Sequence, residues 1–216
     1  MGRCMKKNAL IFGAAGAIGS AVLKTLDKNK WKTIAVSRET SLIQDYADYV
    51  FDISFTDVSQ IAQTAYLISQ KVEGIDLWVY AAGDILSAKI SDMRPEEWDR
   101  ILMANLSGAF YTLHFSLPLL SEGAHIFLIG AVSERLRLPG LSAYAVAKSG
   151  LEAFAGVLRK EQRKKLVTVV RPGAVKTTFW DKVPMKIPPD AASPEKVALK
   201  IIAAYQAGHQ GNLDLV

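Results

Sequence analysis

The chain has 216 residues, 50% of them hydrophobic and 22% charged, with a net charge of +5. That balance fits one globular unit with a sizeable core, and no apolar run approaches the roughly 18 residues of a membrane span. Cys4 is the only cysteine, so an intrachain disulfide is excluded and a reducing, cytoplasmic setting is expected for a soluble protein. Much of the positive excess sits in Arg159-Lys160 and Arg163-Lys164-Lys165, at the end of one predicted helix. No aromatic residues interleave with that run, so it reads as a solvated helix face and not as a nucleic-acid surface.

The first predicted strand, 9–12, follows the basic residues Arg3, Lys6 and Lys7. Cations before a small-residue apolar stretch imitate a signal peptide, but Gly13, Gly16 and Gly19 interrupt the stretch. It reads instead as strand, turn and a helix to about Lys28, with residues 1–7 as a loose N-terminus. Met1-Gly2 invites a myristoylation reading, which Lys6 opposes by standing where Ser or Thr is wanted. Further strands are predicted at 33–36, 49–51, 77–81, 125–129, 167–170 and 213–216. Between them lie helical patterns. Val58, Ile61, Ala65, Ile68 and Val72 recur at three- and four-residue spacing. Pro95 suits the first turn of the next helix, with Glu96 and Glu97 behind it, and Pro194 plays the same part after Ser193 as cap. Helices are read over 95–120 and 141–164. The alternation predicts an α/β fold of three layers: a Rossmann-type, doubly wound parallel sheet of about seven strands flanked by helices. No repeat, low-complexity tract or linker divides it, so 1–216 reads as a single domain.

Three local patterns carry chemistry. The first is GAAGAIG, Gly13 to Gly19, between the first strand and its helix. Glycines every third residue let backbone N–H groups approach a pyrophosphate, and the helix N-terminus favours its charge. The same glycines also suit a tight turn with close helix–sheet packing. The second lies at the end of the second strand, where an acidic residue would bond a ribose 2′-hydroxyl. This chain has Ser37-Arg38 instead, and Arg38 offers a planar, permanently charged fork for a 2′-phosphate. NADP(H) is therefore favoured over NAD(H), against the alternative of an exposed loop arginine. The third is Tyr144-x-x-x-Lys148, which puts a phenol and an amine on one helix face. A fixed ammonium favours the phenolate and lowers the phenol's pKa from about 10. Such pairs also simply decorate helices. Asn105 falls inside the apolar stripe of Trp98, Ile101, Leu102, Ala109 and Leu113, as a structural amide or as a functional one. No metal-binding cluster is read.

With these patterns in place, the chain from Asn8 to Val216 resembles the short-chain dehydrogenase/reductase family. GAAGAIG is similar to that family's phosphate turn, so Gly13, Ala15, Gly16, Ala17, Ile18 and Gly19 are implied cofactor contacts beside Ser37 and Arg38. Asp52-Ile53 resembles its adenine contact. Tyr80-Ala81-Ala82-Gly83 stands in place of the usual Asn-Asn-Ala-Gly, keeping Ala82 and Gly83. Arg171-Pro172-Gly173-Ala174-Val175-Lys176-Thr177 resembles the segment under the nicotinamide, where Val175 and Thr177 would contact the carboxamide. The resemblance implies that Tyr144 donates a proton, and that Lys148 tunes the tyrosine and bonds the nicotinamide ribose. It further implies that Asn105 holds a relay water. The serine usually found thirteen residues before the tyrosine is Ala131 here, with Ser133 two residues later as the substitute. In lacking that serine the chain is similar to dihydropteridine reductases, although Arg38 and Asn105 depart from them.

The implied activity is an NADP(H)-dependent oxidoreductase that transfers hydride to a small carbonyl-like substrate, with no nucleic-acid or membrane partner. The alternatives are a serine-free reductase and a non-catalytic NADPH-binding sensor. Phe179, Trp180, Val183, Pro184, Met185 and Ile187 stand where the family carries its substrate lid, or form a surface loop. Helices 95–120 and 141–164 resemble those that pair subunits, implying a homodimer or homotetramer. The alternation of Arg135 and Arg137 with Leu136 and Leu138 has no account from sequence.

Overall fold

In the computed structural model, residues 6–215 are described. Seven strands form one sheet in the order β3-β2-β1-β4-β5-β6-β7, every neighbouring pair parallel. They are β1 (Lys7–Phe12), β2 (Trp31–Ser37), β3 (Tyr49–Asp52), β4 (Ile75–Tyr80), β5 (Leu120–Ile129), β6 (Leu166–Pro172) and β7 (Gly211–Leu215). Each predicted strand is present; Val216, Cys4 and the Met1-Gly2 pair lie outside the described residues. Parallel neighbours require a crossover, and the helices supply it: α1 (Ala17–Thr25), α2 (Val58–Ser69), α3 (Pro95–Leu102), α4 (Gly108–Ser116), α5 (Ser142–Glu161) and α6 (Pro194–Gln206).

A sheet covered on both faces must send alternate side chains into two cores, and this one does. Leu10, Phe12, Trp78, Tyr80, Ile126 and Leu128 join one core with residues of α2, α4 and α5. Their neighbours Ala9, Ile11, Leu77, Val79, Phe127 and Ile129 join the other with α1 and α6. Helix starts follow the predicted chemistry. Asp57 accepts from the N–H groups of Ser59 and Gln60, and Ser193 accepts from that of Lys196 at 3.2 Å. Pro95 and Pro194 open their helices. No described helix is long and apolar enough to cross a membrane.

Two elements differ from expectation. Strand β5 begins at Leu120, five residues early, because Leu120 pairs with Ile75 across a register shift and Gly123 turns there with φ +79°. The predicted helix 95–120 is divided: a π-helical turn, Met103–Ser107, separates α3 from α4. The divider comes from the sheet. Tyr80, fully buried on β4, donates its hydroxyl to the Ala104 carbonyl at 2.8 Å, and any side chain at Gly108 would strike that hydroxyl. A wide turn frees a carbonyl for this bond, and π turns recur at functional sites for that reason.

Candidate active site

The order β3-β2-β1-β4 reverses direction at β1, so the loops leaving β1 and β4 diverge and open a crevice at the strands' carboxyl ends. A cleft of about 670 Å³ lies there, walled by the exits of β1, β2, β4, β5 and β6. Gly13, at the β1 exit, has φ +75°, and a Cβ on it would collide with the Ala82 backbone. Glycine is thus required where the turn runs under the β4 exit. Helix α1 follows with Gly16 as its cap residue and no side-chain bond to its first turn, leaving N–H donors free at the cleft. Gly13, Gly16, Ala17 and Ile18 line the wall; Gly19 is buried against Gly13 instead. Ala15 is half-buried, its N–H 3.4 Å from Ser37 Oγ. Ser37 and exposed Arg38 line the same wall. A turn of free donors beside a guanidinium suits an anionic dinucleotide, so the residues present fit that cofactor.

Other predicted residues divide. Ala81, Ala82 and Gly83 line the cleft, as do Pro172, Gly173, Val175 and Thr177. Asp52 and Ile53 do not: Asp52 is exposed, and Ile53 is 2% exposed in the core. Ser54, Phe55 and Thr56 hold that part of the wall. Thr177 Oγ1 accepts from the Phe179 N–H at 3.3 Å and so caps the turn Thr178–Lys182. From the segment beyond, Phe179, Trp180, Val183 and Met185 reach the cleft. Arg135, Leu136 and Leu138 reach it from the other side, which accounts for the apolar half of that basic–apolar alternation.

Tyr144 and Lys148, one turn apart on α5, both line the cleft. Lys148 is 3% exposed, donates to the Ile129 carbonyl at 2.8 Å, and stands 5.5 Å from the Tyr144 ring centre. Burial decides the ionisation of both. It pushes Lys148 down to about 8 and raises the Tyr144 phenol above its ordinary value. The shift runs opposite to the expected acidification of the phenol, and its cause is desolvation of the phenolate.

Asn105 is fully buried in the π turn, behind the wall formed by Met103 and Ala104. Its Nδ2 donates to the carbonyls of Asp84 at 2.7 Å and Ile101 at 2.9 Å, which orients the amide. Its Oδ1 has no partner among the described residues and lies beneath Gly83, where a Cβ would come within 2.8 Å. Ala131 presents a methyl group just past β5. Ser133 begins the turn Ser133–Leu136, and its side chain lies outside what is described.

The ion pairs of Arg171, and Asp84 altogether, escaped the sequence reading. Arg171 forms a bidentate pair with Asp214, at 2.6 and 2.9 Å, and also reaches Glu134 and Glu152 at 3.2 and 3.3 Å. It thereby ties the Ser133–Leu136 turn to β6, β7 and α5. Asp84 is held by Arg100 and Lys182. The legible sign was a lone acidic residue after Ala81-Ala82-Gly83 in an otherwise apolar stretch.

Comparison with known proteins agrees with this architecture. An uncharacterised oxidoreductase of Staphylococcus aureus strain MW2 is 29% identical over 184 residues, 80% of each chain. The oxidoreductase BOA17 of Botryotinia fuckeliana is 29% identical over 195 residues, 85% of this chain and 71% of that one. A Serratia marcescens short-chain dehydrogenase/reductase superposes with TM-score 0.86 at 18% identity, over 99% of this chain and 98% of that one. An alcohol dehydrogenase of Thermococcus sibiricus, complexed with 5-hydroxy-NADP, gives 0.87 at 20% identity, over 98% and 96%. These two share the fold. A family model described as short chain dehydrogenase matches residues 7–187, most of the length, and with it the chain belongs to the short-chain dehydrogenase/reductase family of oxidoreductases.

Proposed function

We propose that this protein is an NADP(H)-dependent reductase of small carbonyl (or related C=N and C=C) compounds, with Tyr144 as proton donor. One observation carries the reading: Tyr144 and Lys148 open onto the same cleft as the glycine turn and Arg38. Gly13, Gly16, Ala17 and Ile18 would hold the pyrophosphate, Arg38 and Ser37 the 2′-phosphate, and Ala82, Gly83, Pro172, Gly173, Val175 and Thr177 the nicotinamide half. When bound, that group supplies hydride chemistry.

The chain's own residues supply the proton. With its pKa raised by burial, Tyr144 stays protonated at neutral pH, which suits a donor to a developing alkoxide and not a resting base. Lys148, pushed down to about 8, is still mostly cationic at pH 7 and can pass a proton toward the phenol. Asn105 offers its unpaired Oδ1 to a relay behind Gly83. At Ala131 no hydroxyl supports the substrate carbonyl; Ser133 is the substitute, held in a turn that Arg171 anchors through Glu134. The apolar wall of Phe179, Trp180 and Met185 favours an apolar or aromatic substrate. We further propose one catalytic domain that works in the cytoplasm, as a dimer or tetramer through α4 and α5, where Phe110, Val146 and Val157 are exposed.

NADPH oxidation over a panel of carbonyl compounds is the test. Tyr144→Phe should lower kcat/KM by roughly 10²–10⁴-fold, and Ser133→Ala should lower it less. Equal rates for the wild type and Tyr144→Phe would reject the assignment. Tight NADPH binding without turnover of any acceptor would mark a sensor instead.

A further inference from the structure

Asp84 follows Gly83 at the cleft and is 8% exposed. A carboxylate so buried needs donors, and it draws them from three directions. Arg100 of α3 pairs with its Oδ2; Lys182 Nζ donates to Oδ1 at 2.7 Å, and the Ile85 N–H donates to Oδ1 at 2.9 Å. Its main-chain carbonyl accepts from Asn105 Nδ2 at 2.7 Å. One residue thus joins the β4 exit, α3, the π turn and the covering turn Thr178–Lys182.

The covering turn has few other fastenings. Among the described residues its other side-chain hydrogen bonds are local: the Phe179 N–H donates to Thr177 Oγ1, and Trp180 Nε1 donates to the Val175 carbonyl at 2.8 Å. Among the described residues, Lys182–Asp84 is the ion pair that carries this turn across to the opposite wall. Phe179 lies over Gly83, close enough that a Cβ on Gly83 would be 3.6 Å from the ring and 2.8 Å from Asn105 Oδ1.

We infer that Asp84 is a positioning residue of the site: its carboxylate holds the Thr178–Lys182 turn over Gly83 while its carbonyl orients Asn105. Cover and relay residue are thereby set by the same position in the chain. The inference rests on reading the Gly83 end of the cleft as the reacting end. It predicts a mechanical effect that can be measured without any turnover.

The readout is chymotryptic cleavage after Phe179 and Trp180 in the full-length protein, followed by mass spectrometry beside the melting temperature. Lys182→Gln and Asp84→Asn should each speed that cleavage roughly tenfold, because local opening becomes easier while global unfolding does not. The double variant should be no faster than Asp84→Asn alone, since both changes break one interaction. Lys182→Arg should restore slow cleavage. In turnover, Lys182→Gln should raise KM for the carbonyl about fivefold and leave kcat within about twofold. If Asp84→Asn fails to fold, Lys182→Gln alone carries the test. Unchanged cleavage in Lys182→Gln, or additive acceleration in the double variant, overturns the inference whether or not any carbonyl is reduced. Asp84-dependent cleavage in a protein that reduces no carbonyl supports the positioning role and sinks the reductase reading instead.

Discussion

Two buried bases meet at strand β5, Lys148 bonded to its last residue, Ile129, and His125 within the strand itself, and desolvation lowers both pKa values. Lys148 falls to about 8 and His125 to about 4. His125 is 1% exposed and stacks on Phe127 at 4.0 Å. Its tautomer is settled by its partner: Thr168 Oγ1 donates to the His209 carbonyl at 2.7 Å, and so accepts from His125 Nε2–H at 2.9 Å. That ring is neutral at pH 7, so no charge is buried there, although its Nδ1 has no partner among the described residues. Lys148 is also buried, is mostly charged at pH 7, and donates to the Ile129 carbonyl. The protein keeps an electrostatic cost at the cleft that it avoids in the middle of the strand. A shifted pKa alone therefore does not mark a site; a shifted group facing a cleft that holds other functional groups does.

The sign of the linkage is the same for both. Between its folded and unfolded pKa, each base binds more protons in the unfolded chain, so stability rises with pH through that window. The windows are about 4 to 6.5 for His125 and about 8 to 10.5 for Lys148.

The comparison can be broken most decisively at Lys148. Lys148→Met should cut kcat/KM for NADPH-linked reduction by roughly 10²–10⁴-fold. In urea titration at pH 7 the same variant should be more stable by about 1–3 kcal/mol, because the buried charge is gone. A variant both inactive and less stable would put Lys148 in the same class as His125. Next in size is His125. Wild-type stability should drop by up to about 3 kcal/mol as pH falls from 6.5 to 4. His125→Gln should flatten that slope and leave kcat/KM within about twofold; a large loss of activity would show that the middle of β5 is coupled to the cleft. Arg38→Gln removes a cleft charge that is not buried. Loss of one charge-assisted contact, about 1.5–3 kcal/mol, should narrow the NADPH-over-NADH ratio of kcat/KM by roughly ten- to a hundredfold. An unchanged ratio would make Arg38 a plain loop residue. The smallest effect is expected far from either base: Ser193→Ala should cost about 1 kcal/mol in urea titration through its lost helix cap, with kinetics unaltered.

Much of the molecule was legible one segment at a time. The strands follow short apolar runs and the helices a spacing of three and four residues, and Gly13, Pro95, Ser193 and Pro194 act through their own backbone chemistry. The Tyr144–Lys148 pair was readable for the same reason, since four residues make one helical turn. Asn105 was half legible. Its place in an apolar stripe showed that it was buried, but not that Asp84 and Ile101 would take its N–H groups and leave Oδ1 open.

What the chain's local order settled by itself is the alternation of elements, their caps, the glycine turn and the spacing of the phenol and amine, because each depends on residues only a few positions apart. Tertiary structure alone decided the rest. Helix 95–120 is split where a tyrosine from β4 bonds Ala104; Asp84 is held because Arg100 and Lys182, distant in sequence, converge on it; and the Tyr144 phenol is raised by burial, a property of the whole packed chain. Desolvation and long-range contacts are sums over many residues, and no local pattern encodes them.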